Sequence, residues 1–343
     1  MTDREKAGLC GAVRRVVSET FSVDWQTKLM ADKSVQQETA YLPDGRLQEQ
    51  SYQAPNGHNS NTKYIYDADN RLSEVRRSSP GSEHLTHYTY DQQDRLVRVT
   101  AGPAGEQETI QETNSYGADG ARTNVCYYPH VEAKGGAVGW DLRIEGSELG
   151  LGAPNGGSTT TVYDSRGYPV ESLAHSDRHG LIVRVKYICD ERGHIVEETA
   201  EPGHDPVGSL PDNIPEEARA IFQKVFASHL LQGHATHKYD AAGKRIEMVR
   251  DSGPRKETRR TRFNEHGDIT WLETEGTTRT MSFDMEGAEI PESVETHSQH
   301  TTIRFEYKYD EHGNWTEQTQ WTRAEPDHEE FRSMLVKRIL TYF

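Results

Sequence analysis

The sequence predicts an all-β protein built from antiparallel hairpins, and three observations support that fold class. A Tyr-Asp-x-x-Gly segment, or a close variant, returns roughly every 25 residues along most of the 343-residue chain. Alternating apolar and polar residues flank the copies, as in strands with one buried face. Each copy also carries the residue types of a tight turn. We therefore expect about ten YD-type repeats, each of them one hairpin.

The copies begin with an aromatic residue or, once, a cysteine. Their first residues are Tyr41, Tyr66, Tyr90, Tyr116, Tyr163, Cys189, Tyr239, Phe263, Phe283 and Tyr309. The steps after Tyr116 and after Cys189 are nearly doubled, which indicates an insertion in each. An apolar residue returns six positions after the first residue of several copies, as at Leu72, Leu96 and Trp315.

Asp and Gly have separate roles in the predicted turn. The Asp carboxylate can accept a backbone N–H, and Gly supplies the left-handed conformation that closes a bulged turn. Asn70 and Asp94 stand in place of Gly in two copies, and both residue types tolerate positive φ. The predicted turn residues are Asp67, Asp91, Asp164, Asp240, Asp310, Gly45, Gly167, Gly193, Gly243, Gly267, Gly287 and Gly313.

The number of strands predicts curvature. About twenty strands at roughly 4.8 Å spacing would form a strip about 95 Å long. Open twisted sheets rarely exceed about ten strands without curling. We therefore expect a long antiparallel hairpin strip that curls into a spiral, or into a partial shell or tube, with its apolar residues inward.

The period crosses the middle of the chain, so we interpret residues 1–343 as a single elongated domain. Residues 1–40 form its N-terminal cap strand region, and residues 330–343 form a closing strand. The insertion at 127–158 is Gly-rich and lacks a phosphate-binding motif, so we expect a mobile loop or a degenerate repeat.

The second insertion, residues 201–233, carries the one predicted helix, around residues 214–230. Pro215 suits a first helical turn, and Glu216 and Glu217 suit its positive dipole end. Phe222 and Phe226 lie on one apolar face. We expect this helix to cover the apolar face of the sheet, and a helix that docks a partner is the alternative.

Composition excludes several classes of protein. The 55 acidic and 39 basic residues give a net charge of −16, which argues against nucleic acid and anionic membranes. It agrees with simple solubility or with a basic partner. The three cysteines have neither disulfide nor metal spacing. No segment has the length of a membrane span, and no signal peptide opens the chain.

Motifs for chemistry are absent from the sequence. It has no nucleophile elbow, zinc-protease motif or P-loop, so we expect no catalytic, cofactor-binding or metal-binding residue. The histidine pairs His175/His179 and His234/His237 are expected on the solvated face. Aromatic residues that could bind a sugar or a guest polypeptide are Trp140, Trp271, Trp321, Phe222 and Phe226.

The repeat over residues 40–325, best seen at Tyr307-Lys-Tyr-Asp-Glu-His-Gly-Asn-Trp315, resembles the YD repeat of Rhs proteins. The same repeat occurs in teneurins and in the shells of insecticidal toxin complexes. The resemblance implies a hollow β-shell with a cargo, and a secreted or cell-surface location; the missing signal peptide leaves a cytoplasmic location open. This chain is shorter than the toxin proteins and has one Asp-Pro-x-Gly segment, at Asp205, instead of the pair used for self-cleavage. It is similar to short, stand-alone bacterial YD-repeat proteins.

The expected function is therefore that of a non-enzymatic shell or scaffold that binds or encloses a partner polypeptide or a surface glycan. One alternative is a purely structural cell-surface or envelope protein. The other is a glycan or peptidoglycan hydrolase that uses carboxylates on the concave face, since 55 acidic residues offer many pairs. The sequence does not specify an oligomeric state.

Overall fold

The computed structural model describes residues 1–24, 27, 30, 35–128, 149, 156–177, 180–203, 232–252, 255–280, 290 and 293–343. Its one α-helix in these ranges is α1, the single turn Asp3–Lys6, which Thr2 caps. The predicted helix at 214–230 lies outside the described residues. So do Trp140, Phe222, Phe226, Gly287, His179 and most of both insertions.

Twenty strands make up most of the described chain. They are β1 Val13–Ser22, β2 Val35–Tyr41, β3 Leu47–Gln53, β4 Asn59–Tyr66, β5 Leu72–Ser79, β6 Ser82–Tyr90, β7 Leu96–Pro103, β8 Thr109–Tyr116, β9 Arg122–Tyr128, β10 Gly157–Tyr163, β11 Pro169–Ser176, β12 Gly180–Cys189, β13 Ile195–Pro202, β14 Gly233–Tyr239, β15 Arg245–Ser252, β16 Arg255–Phe263, β17 Ile269–Thr280, β18 Glu295–Tyr309, β19 Trp315–Arg323 and β20 Phe331–Tyr342. Consecutive strands pair antiparallel, which confirms the predicted all-β class and its hairpins.

The chain divides into two compact units. Unit 1 consists of Met1–Ile110, Arg262–Leu272 and Thr301–Phe343, and unit 2 of Gln111–Thr261 and Glu273–His300. In unit 1 neighbouring strands run from β18 through β19, β20, β1 and β2 to β7. In unit 2 they run in chain order from β8 to β16. The interpretation as a single domain stays a prediction.

The predicted spiral is wrong, because the ends of the strip are not free. A spiralling strip leaves its first and last strands as edges. Here β1 pairs with β2 on one side and with β20 on the other, in a ladder that joins Val16 to Leu340 and Thr20 to Val336. The physical reason is that an edge strand exposes unpaired N–H and C=O groups, and antiparallel pairing of the two chain ends satisfies them.

The turns have the geometry that the motif encodes. At Asp67 the carboxylate Oδ1 accepts the backbone N–H groups of Asp69 and Arg71, at 3.0 and 2.9 Å. Asn70 then adopts φ 64°, and Asp94 adopts φ 60° at the equivalent position of the next hairpin. The same Oδ1 bonds recur at Asp91, Asp164, Asp190 and Asp310.

The offset of six residues also has a structural cause. In several hairpins the first residue of the motif and an apolar residue six positions later are cross-strand partners, as in the pairs Tyr66↔Leu72 and Tyr90↔Leu96. The tyrosine hydroxyl then reaches the preceding hairpin, where Tyr66 donates to the Leu47 carbonyl at 2.8 Å and Tyr90 to the Leu72 carbonyl at 2.9 Å. These repeats are thereby tied to the ones before them.

Candidate functional site

The buried face of unit 2 is more polar than the sequence predicted. Cross-strand register aligns Tyr187, Glu198, Ala235, Arg250 and Glu257, one residue from each of β12 to β16. Directly paired residues of an antiparallel sheet share a face. We call these five residues the polar row. An apolar cluster around Ile182, Val185 and Ala200 adjoins the row and includes its Tyr187 and Ala235.

A buried acid and a buried base meet in this face. His237 Nε2 lies 2.8 Å from Glu198 Oε1, and both side chains are 1% exposed. His237 Nδ1 is buried and has no hydrogen-bond partner among the described residues. The prediction that His237 is solvated is therefore wrong. It holds for His234, whose side chain is 49% exposed and pairs with Glu197. Strand alternation separates the two histidines, because residues three apart point to opposite faces.

Hydroxyl groups extend the polar face on the other side of Glu198. Tyr187 donates to Ser172 Oγ at 3.1 Å, and Ser172 Oγ lies 2.8 Å from Thr161 Oγ1. Burial raises the pKa of Tyr187 to about 12; the Ser172 hydrogen bond opposes that shift and the Glu198 charge adds to it. Tyr187 is therefore a neutral donor at any physiological pH.

Three arginines surround one buried carboxylate at the far end of the row. Glu257 has a side-chain exposure of 0% and accepts from Arg250 at 3.1 Å, Arg255 at 2.8 Å and Arg259 at 3.0 Å. These four residues are called the arginine cluster below. Its formal charge is +2, in a chain whose net charge is −16.

The opposite face of β16 has the reverse arrangement of charges, with one arginine among three carboxylates. Arg260 lies within ion-pair distance of Glu247, Glu273 and Glu275, at 3.4, 2.9 and 3.4 Å. Those carboxylates raise the pKa of Arg260, chiefly through the hydrogen bond to Glu273. On β16, excess positive charge thus faces the buried side, and excess negative charge faces the outer side.

A groove of about 600 Å³ lies on the outer face of unit 2, lined in part by Val170, Glu171, Ile188 and Glu197. Val170 and Ile188 are 46% and 55% exposed. Lys186, which also lines the groove, pairs with Glu201 at 2.9 Å. This groove is acidic and open to solvent, unlike the polar row.

Two of the predicted partner-binding residues, Trp271 and Trp321, lie in the described part of the chain. Both are in unit 1, whereas the polar row is in unit 2. The Arg262 guanidinium lies 4.3 Å from the Trp271 ring centroid, and that of Arg304 lies 5.2 Å from Trp321. The indole N–H of Trp321 donates to Glu306 at 3.1 Å. One face of each indole is thus covered by a cation.

Sequence reasoning missed Glu198, His237, Glu257 and Arg259. The available signal was parity along the strands, because each stands an even number of residues from an inward-facing Ala200, Ala235 or Arg255. No group of three His, Cys, Asp or Glu side chains within the described ranges could hold a metal ion. No helix in the described part of the chain is long and apolar enough to cross a membrane.

Together, the repeated Asp-capped turns and the tyrosine ties between hairpins define a class, the antiparallel hairpin-repeat proteins. Residues 66–107 match the family model described as RHS Repeat. That match confirms the resemblance over two of the hairpins whose turns are described above. No curated protein matches the sequence.

Several solved structures are similar to the chain at low identity. A porin-like protein from Bacteroides uniformis is 9% identical, with 96% of each chain covered and a TM-score of 0.26. The TcdB2-TccC3-TEV structure is 9% identical over 93% of this chain and 19% of that one, with a TM-score of 0.25. TcdB2-TccC3-Cdc42 is 12% identical over 94% and 18%, with a TM-score of 0.26. The chain spans less than a fifth of these TcdB2-TccC3 chains.

Proposed function

We propose that the protein is a non-enzymatic repeat scaffold that binds a partner polypeptide against the polar row of unit 2. The observation that carries this proposal is unused hydrogen-bonding capacity on a face that is accessible at Arg255 and Arg259, whose side chains are 48% and 37% exposed. Among the described residues, the buried atoms His237 Nδ1 and Arg259 Nε of this face have no hydrogen-bond partner. An unsatisfied buried polar group costs about 1–3 kcal/mol. A ligand that supplies the missing partners recovers that free energy.

A polypeptide suits this face better than a glycan. Every non-proline residue of a chain offers one backbone donor and one acceptor, which can serve His237 Nδ1 and the arginine donors together. Sugars bind proteins largely by stacking on aromatic faces, and Trp271 and Trp321 belong to unit 1, whereas the polar row belongs to unit 2.

The geometry of the row also favours binding over hydrolysis. Ser172 accepts a hydrogen bond from Tyr187, and its contact on the other side is Thr161, so it is not paired with a general base. Glu198 and Glu257 stand on β13 and β16, three strands apart, which places their backbones roughly 14 Å from each other. Paired glycosidase carboxylates are about 5–10 Å apart.

The test uses a reduced, alkylated and fluorescently labelled unfolded polypeptide as the probe. We expect its fluorescence anisotropy to rise with protein concentration. Hydrogen exchange of bound protein should slow at the amides of β13 to β16, and mass spectrometry should recover the probe intact. Cleavage of the probe would instead support a hydrolase.

A matched pair of substitutions locates the binding face. His237→Phe keeps the ring volume and removes both nitrogens, so affinity should fall, whereas His234→Phe on the outer face should leave it unchanged. Because His237→Phe leaves Glu198 buried without its histidine, the double substitution Glu198→Leu/His237→Phe, which replaces both partners by apolar groups, is measured beside it. Equal affinities for all variants would contradict the proposal.

A further inference from the structure

The arginine cluster has more donors than its one carboxylate can use. A guanidinium carries five N–H donors. Arg255 and Arg259 each donate from one Nη2 to Glu257, at 2.8 and 3.0 Å. Glu257 Oε2 accepts hydrogen bonds from Arg250 and Arg255, and Glu257 Oε1 accepts one from Arg259. Both carboxylate oxygens therefore accept hydrogen bonds, while most N–H groups of Arg255 and Arg259 have no acceptor among the residues that the structure describes.

The cluster is accessible although its carboxylate is not. The side chains of Arg255 and Arg259 are 48% and 37% exposed, whereas that of Glu257 is 0% exposed. Glu257 therefore acts as an anchor that holds the guanidinium groups together. A ligand that approaches this face meets the arginines and not the acid.

Local charge supports the same conclusion. Residues 245–262 contain seven basic and three acidic side chains, in a chain with 55 acids and 39 bases. On the outer face two of the bases are neutralised: Lys256 pairs with Asp251 at 2.8 Å, and Arg260 lies among three glutamates. On the opposite face Arg250, Arg255 and Arg259 share the single carboxylate of Glu257.

We propose that Arg255 and Arg259, held by Glu257, form a binding site for an oxyanion, with a carboxylate as its natural ligand. A planar carboxylate can accept two parallel N–H bonds from one guanidinium. The site deepens the proposed function, since the carboxylate would belong to an acidic side chain of the partner polypeptide. A free anion carries the same chemistry, and the two sources are separated below.

Two probes are titrated into the full-length protein in a calorimeter: inorganic phosphate as a free oxyanion, and poly-L-glutamate as an acidic polypeptide. We expect both to bind, and rising salt to weaken both. The double substitution Arg255→Gln/Arg259→Gln should lower the affinity for either probe about tenfold or more, because it removes charge-assisted hydrogen bonds.

Arg260→Gln is the matched control. It removes one arginine from the same strand but from the face where carboxylates predominate, so it should leave both affinities unchanged. If the double variant does not fold by circular dichroism, the single Arg255→Gln, at the more exposed position, is used instead. Arg259→Lys keeps the charge without the fork and should lose only part of the affinity.

The outcomes separate the site from the proposed function. Absence of binding by both probes, or equal loss in the Arg260→Gln control, would overturn the oxyanion site. Phosphate binding without poly-L-glutamate binding would support the site and count against an acidic polypeptide as its partner. If the unfolded polypeptide does not bind but phosphate and poly-L-glutamate both do, only the proposed function is contradicted.

Discussion

Asn314 fastens the two ends of the chain in unit 1, and its removal is the sharpest stability test. It occupies the turn between β18 and β19, where it is 2% exposed. Its Oδ1 accepts the Cys10 N–H at 2.7 Å, and its Nδ2 donates to the Cys10 carbonyl and to the Tyr342 hydroxyl, both at 2.9 Å. Tyr342 in turn donates to Asp310 at 2.5 Å. One side chain thus connects β19 with the segment before β1 and with the end of β20.

Replacing Asn314 by Ala removes three hydrogen bonds, each with a net contribution of about 1 kcal/mol. We expect unit 1 to lose about 3 kcal/mol. The loss of stability should be largest at β1 and β20, because the variant lacks the hydrogen bonds that hold Cys10, before β1, and Tyr342, at the end of β20.

Hydrogen exchange followed by mass spectrometry gives the opening free energy of peptides from β1 and β20. Asn61→Ala is the control, since Asn61 makes one side-chain hydrogen bond, to Glu49 at 2.6 Å, and should cost about 1 kcal/mol or less. If Asn314→Ala changes β1 and β20 no more than Asn61→Ala does, the reasoning is refuted.

Three further predictions concern the repeat itself. Tyr66→Phe removes the bond to the Leu47 carbonyl and should cost about 1 kcal/mol in urea unfolding; Tyr52→Phe, at a 38% exposed residue, should cost nothing measurable. Gly193→Ala should destabilise more than Gly167→Ala in thermal unfolding. Both glycines have positive φ, but a Cβ at Gly193 would lie 2.4 Å from the Tyr168 ring, whereas one at Gly167 meets nothing within 4 Å. The backbone N–H groups of Arg71, Arg95 and Tyr168 lower the pKa of Asp67, Asp91 and Asp164. A depressed carboxyl pKa gives stability that is present above the unfolded value of about 4 and is lost as pH falls through the folded value. The triple change Asp67→Asn/Asp91→Asn/Asp164→Asn keeps an acceptor oxygen, as Asn264 does in its own turn. Below about pH 4, the unfolding midpoint of this variant should therefore depend less on pH than that of the wild type. If the pH dependence is unchanged, these three carboxylates are not its source.

The residue pattern of the repeat predicted the conformation of the turns, which depends on neighbouring residues alone. Asn70 and Asp94 stand where glycine is usual, and both have positive φ in the structure. The Asp carboxylates accept the turn N–H groups because turn geometry depends on only a few consecutive residues.

Long-range pairing determined the rest. The three-residue spacing of His234 and His237 does not report which of the two faces the interior. The burial of His237 depends on Glu198, which lies 39 residues earlier in the chain. The pairing of β1 with β20 likewise joins segments at opposite ends of the sequence, and no periodic signal reports it.

Turn residues and mid-strand residues have separate roles in this protein. Turn positions repeat because every hairpin needs the same cap and the same left-handed residue. Mid-strand positions have no comparable requirement for one residue type. The two faces of β16 therefore differ in charge, with Glu257 and Arg259 on one face and Arg260 on the other. The side-chain period of a strand is two, so a register slip of one residue would exchange the two faces. The repeated turns and the tyrosine ties oppose such a slip. The motif therefore fixes the register, and the register decides which charges lie on each face of the sheet.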